Sequence, residues 1–71
     1  MCNATLLRQK IDDSGYKLRF IAKKLGITYA GLLKKLNNET EFKASEIAVL
    51  KKLLKLTDDE VNQIFFAFVV E

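Results

Sequence analysis

The sequence predicts an all-α fold of five short helices in one compact domain, and three observations carry that prediction. Apolar residues recur at three- and four-residue spacing along the chain, and strand-like alternation is not sustained anywhere. Proline is absent, and the three glycines fall at Gly15, Gly26 and Gly31, the first two between periodic segments. Thr57-Asp58-Asp59-Glu60 is a capping-box sequence, a threonine followed three residues later by a glutamate, just ahead of an apolar run. Seventy-one residues make a single domain, 1–71, with no linker, internal repeat or low-complexity tract.

The first helix is expected from about Ala4 to Ser14. Asn3 is its candidate cap, Leu7 and Ile11 form its inner face, and Gly15 is placed to end it in a left-handed turn. The second covers about Leu18 to Leu25, with Leu18, Ile21, Ala22 and Leu25 inward and Gly26 as its stop. The third starts after Thr28, an N-cap, and runs to about Leu36 with Leu32 and Leu36 inward. Asn37 to Thr40 reads as a loop, and Phe42 as the anchor of its far end. The fourth covers about Lys43 to Leu54, with Ile47, Leu50 and Leu54 inward. The fifth runs from Asp58 to about Val69, with Val61, Ile64, Phe65 and Phe68 on one face.

Composition narrows the function classes. About half the residues are apolar, too many for a disordered tail. The longest apolar run, at positions 64–70, is far short of the ~20 residues that cross a bilayer. Nothing at the start of the chain resembles a secretory signal, so none is expected. One cysteine, Cys2, allows no internal disulfide. With no histidine, Ser-His and Cys-His catalytic pairs are excluded, and a structural zinc site has no usual ligand set. The carboxylate pairs Asp12-Asp13 and Asp58-Asp59 diverge on a helix, and the second is explained by capping, so acid–base catalysis is not indicated. The lysine-rich fourth helix is amphipathic, but its apolar side is needed for the core rather than for a membrane surface. The expectation is a non-enzyme with no metal, cofactor or small-molecule substrate.

Charge is unevenly spread. Residues 1–36 carry eight basic side chains and two acidic ones; residues 37–71 carry four and seven, a balance of +6 against −3. A basic half suits a phosphate backbone, although lysines also simply solvate helix faces.

The stretch from Leu18 to Leu36 forms a unit. Ala22 is followed four residues later by Gly26, then Ile27, then a helix with Leu32 and Leu36. A small side chain at 22 lets two short helices approach closely, Gly26 takes the positive φ of the turn, and the apolar residues pin the second helix. This helix-turn-helix pattern, in Phe20-Ile21-Ala22-Lys23-Lys24-Leu25-Gly26-Ile27-Thr28, resembles the lambda-repressor/Cro-like family of phage and bacterial regulators. Lys35-Leu36-Asn37-Asn38-Glu39-Thr40-Glu41-Phe42 and Ser45-Glu46-Ile47 resemble small regulators from phages of Gram-positive hosts. The resemblance spans roughly residues 5–66.

The resemblance implies a transcriptional regulator in a phage genetic switch, acting in the cytoplasm of a bacterial host. Its third helix would enter the major groove of operator DNA. Thr28, Tyr29, Ala30, Leu33 and Lys34 fall on the base-reading positions, with Ala30 suited to a thymine methyl and Lys34 to guanine or phosphate. Lys17, Arg19, Asn38 and Lys43 fall on the phosphate-contacting positions. The helix departs from the family pattern, in which Gln, Ser, Arg or Asn fill several outward positions. Ala30 and Leu33 supply no hydrogen bonds, and Gly31 costs up to about 1 kcal/mol inside a helix while leaving room for a partner's backbone. An outward Tyr-Ala-Leu patch suits a protein surface. The alternative is therefore a modulator that keeps the fold and docks on a partner repressor through this face. Phe66, Val69 and Val70 do not fit the inner face of the fifth helix and are candidates for a homodimer seam or partner contact.

Overall fold

Several helix ends lie where a local cap closes off the backbone. The structure, a computed structural model, describes residues 2–66. Its elements run α1 Ala4–Ser14, α2 Leu18–Leu25, α3 Tyr29–Leu36, α4 Ala44–Leu53 and α5 Asp58–Val61, the last continuing as a π-helical segment over Asn62–Phe66. No strand occurs among the described residues. The Asn3 side chain accepts the Leu6 N–H and caps α1, while Gly15 closes it at φ 78°. Gly26 closes α2 at φ 74°.

Most of the buried side chains are predicted inward ones, whereas Leu18, Leu25, Ile47 and Leu54, also expected inward, are only partly buried against the core. Leu7 and Ile11 come from α1, Ile21 and Ala22 from α2, Leu32 and Leu36 from α3, and Leu50 from α4. Val61, Ile64 and Phe65 close the far side, joined by Cys2 and Leu56. Each fully buried leucine or isoleucine contributes on the order of 1.5–3 kcal/mol. Phe42 anchors the end of the loop as expected, meeting the Phe65 ring edge-on with centroids 5.6 Å apart.

The fifth helix departs from the expectation. Its α-helical part ends at Val61, and the next turns widen to the π form. The inner residues Val61, Ile64 and Phe65 remain buried. The Ile64 carbonyl accepts the Asn3 N–H at 2.7 Å, tying this segment to the start of α1. Phe66 is exposed. Phe68, Val69 and Val70 lie outside the described residues.

Among the described residues one charged side chain is buried, Glu46. Its carboxylate accepts the Lys43 backbone N–H at 2.8 Å and lies 3.2 Å from the Lys35 ammonium, so it caps α4 and holds the end of α3 against it. Lys35 also donates to the Glu41 carbonyl at 2.8 Å. Among the described residues, every buried side-chain polar atom has a partner. None of their helices is long and apolar enough to cross a membrane.

Candidate functional site

The link between α2 and α3 is three residues long. Gly26 donates its N–H to the Lys23 carbonyl and Ile27 donates to the Ala22 carbonyl, both at 3.1 Å, which turns the chain sharply. Ile27 then packs against the core. The Thr28 hydroxyl accepts the Gly31 N–H at 2.9 Å and starts α3. Ala22 is only 3% exposed, so a larger side chain there would press on its neighbours.

Burial of Leu32 and Leu36 fixes which face of α3 is presented. Ala30 and Lys34 are exposed, and Tyr29 and Leu33 are half-buried. Thr28 is exposed, but its hydroxyl oxygen serves the cap. The Arg19 guanidinium lies 4.3 Å from the Tyr29 ring centroid, so these two predicted contact residues sit stacked together. A cation over an aromatic face contributes about 0.5–2 kcal/mol, and here it holds both side chains at the α2–α3 edge.

A Cβ added at Gly31 would lie 3.1 Å from the Thr28 hydroxyl oxygen and meet nothing else nearby. Glu60 holds the matching position behind the Thr57 cap of α5, so the cap itself does not require a glycine.

The predicted phosphate contacts divide. Lys17 and Arg19 are exposed at the start of α2. Lys43 is exposed as well, at the start of α4. Asn38 is also exposed, with its side chain engaged within the fold: its side-chain oxygen accepts the Cys2 N–H at 2.8 Å and its side-chain nitrogen donates to the Cys2 carbonyl at 3.1 Å. This amide ties the loop to the beginning of the chain, at a residue with φ 62° that asparagine tolerates well. Burial raises the Cys2 thiol pKa above its ordinary value, which keeps it protonated and unreactive.

Arg8 joins the site without having been singled out. Its guanidinium donates to the Asn37 side-chain oxygen at 3.0 Å, placing a cation of α1 beside the end of α3. No local pattern signals a pairing across 29 residues. Lys34 and Lys35 likewise separate, one outward and the other drawn in to Glu46. Between Ser14 and Asn38 the sequence holds six lysines and arginines and no aspartate or glutamate, and of these Lys17, Arg19 and Lys34 are exposed and without an acidic partner in the same stretch. No family model, curated protein or solved structure matches the chain.

Proposed function

We propose that the chain is a small phage-type helix-turn-helix transcriptional regulator that reads operator DNA with α3 in the major groove, as part of a genetic switch. The observation that carries this reading is the acid-free stretch from Ser14 to Asn38, with Ala30, Leu33 and Lys34 presented on α3 and Lys17 and Arg19 on the adjoining helix. Lys17 and Arg19 meet phosphates and set orientation. Ala30 contacts a thymine methyl, and Lys34 reaches a guanine edge or a phosphate. Tyr29 offers its hydroxyl while Arg19 supports the ring. A homodimer would present two such helices to half-sites about one DNA turn apart.

A second reading has its own support. Ala30 and Leu33 are apolar, the Thr28 oxygen serves the cap, and Tyr29 lies against Arg19. Such a face favours docking on a partner repressor whose DNA binding the chain then controls.

One titration decides between them. Labelled DNA flanking the chain's own gene is titrated with the protein, with and without any repressor that the neighbouring DNA encodes. Under DNA recognition, the protein alone binds. Tyr29→Ala then weakens the preferred site more than random DNA, and Lys17→Ala weakens both alike and lowers the salt slope by about one. Under docking, the protein binds no DNA alone even at low salt. It co-purifies with the repressor, and Leu33→Asp abolishes this while the circular dichroism stays helical.

A further inference from the structure

α2 has two outer edges. One carries Arg19, beside Tyr29 of α3. The other carries Phe20 and Lys24 and borders α4, where a groove of about 330 Å³ is lined by Tyr16, Lys24, Val49, Lys52, Leu53 and Lys55. Tyr16, Phe20 and Val49 are among the large apolar side chains the fold leaves in solvent, each more than one third exposed. Tyr16 and Phe20 stack with ring centroids 5.0 Å apart, and the Lys24 ammonium lies 5.4 Å from the Phe20 centroid. The apolar surface is thus one organised patch rather than scattered exposed residues.

The rim has one sign. Lys24, Lys52 and Lys55 surround the groove and no acidic side chain lines it. Lys55 holds this place in a left-handed conformation, φ 55°, which costs a non-glycine residue about 1–2 kcal/mol. A glycine would relieve that strain but remove one cation from the rim.

We propose that this groove docks an acidic, apolar segment of a partner protein. Two apolar side chains one helical turn apart seat on Val49, Leu53 and the Tyr16–Phe20 rings, and flanking carboxylates meet the three lysines. The aliphatic floor of Val49 and Leu53 favours side chains over nucleobases, which prefer aromatic platforms. A second copy of the chain is a poor source of the segment. Its acid-rich stretch from Thr57 to Glu60 leads into Val61, Ile64 and Phe65, which its own core buries. Asp58 and Glu60 are already held by Lys51 and Lys10. The groove is separate from the presented face of α3, so the proposal stands whichever ligand that face takes.

The test titrates the isotope-labelled full chain with a synthetic helical peptide of about 15 residues, with Leu and Phe at i, i+3, i+4 and i+7 among Asp and Glu. Amide shifts are expected to concentrate at Phe20, Lys24, Val49 and Leu53. Replacing the peptide's acids with Asn and Gln, or introducing Lys24→Glu with Lys52→Glu into the protein, is expected to weaken binding about tenfold or more. Circular dichroism checks that this surface variant stays folded. The proposal is overturned if the neutral peptide binds as well as the acidic one, or if the shifts map to α3. It is equally overturned if oligothymidine occupies the groove more tightly than the peptide, or if the chain self-associates through Val49.

Discussion

Gly26, Ile27 and Thr28 carry the chain from α2 to α3; Leu54, Lys55, Leu56 and Thr57 carry it from α4 to α5. Each link holds a left-handed residue two places before its threonine, at φ 74° and 55°. The next amide reaches back to the helix, Ile27 to the Ala22 carbonyl at 3.1 Å and Leu56 to the Lys51 carbonyl at 2.9 Å. A threonine hydroxyl then starts the following helix, accepting from Gly31 in one case and Glu60 in the other. The backbone device is shared, and the side chains around it are not. At α5, the Glu60 carboxylate in turn accepts the Thr57 N–H at 2.9 Å, and three acids occupy the first turn. These carboxylates neutralise the positive end of the helix. At α3 the first turn holds no acid, and the position matching Glu60 is Gly31. The same turn therefore serves one helix as a closed structural joint and leaves the other electrostatically open beside a basic surface.

The largest expected difference lies in the apolar anchors. Leu56 is 5% exposed, whereas Ile27 is only half-buried. Leu56→Ala should lose about 2–4 kcal/mol and Ile27→Ala about 1–2 kcal/mol, measured by chemical denaturation. Equal losses would mean that the two joints are equally anchored.

The left-handed positions come next, with opposite signs. Gly26→Ala should destabilise by about 1 kcal/mol and Lys55→Gly stabilise by about 0.5–1 kcal/mol, read as melting shifts in opposite directions. A Cβ at Gly26 would meet nothing within 4 Å, so backbone conformation alone sets that loss. Shifts of the same sign would break the equivalence of the two turns.

The smallest effect is the response to acid. The Lys10 hydrogen bond, then the Thr57 backbone amide, hold the Glu60 carboxyl pKa below its ordinary value, and the Lys51 hydrogen bond does the same for Asp58. A carboxyl lowered in the folded chain stabilises it above the unfolded pKa. That contribution is lost as the pH falls through the folded pKa. In an acid titration followed by amide shifts, Thr57 and Glu60 should therefore move as the pH drops through and below the ordinary carboxylate range. Thr28 and Gly31, with no titrating group in their cap, should stay still. Parallel movement at both joints would remove the contrast.

Much of this was legible in the residues because it is local. Asn3, Gly15, Gly26, Thr28 and Thr57 act within a few positions of themselves, so both bounds of α1, the end of α2 and the starts of α3 and α5 follow from them almost to the residue. The inward stripes follow from the helical period for the same reason. What escaped depends on neighbours distant in sequence. Asn38 is drawn to Cys2 across 36 residues, and Arg19 finds Tyr29 on another helix. Glu46 is buried because Lys35 arrives from α3. The π turn after Val61 falls in a run whose spacing fits an ordinary α-helix equally well, so periodicity gave no warning of it. Of the candidate site, the outward residues of α3 were readable from the inward ones, while the side-chain stacking and clasps that tie down Tyr29 and Asn38 were not.

The Asn38 clasp has a mechanical consequence. Cys2 is fastened to the loop after α3, and its neighbour Asn3 to the Ile64 carbonyl, so two adjacent peptide units stitch together segments that meet nowhere else in sequence. Positions 2 and 3 act as a seam rather than a fringe. A change that frays them releases the loop and the π-helical segment in one event, and so reaches the end of α3 without touching it.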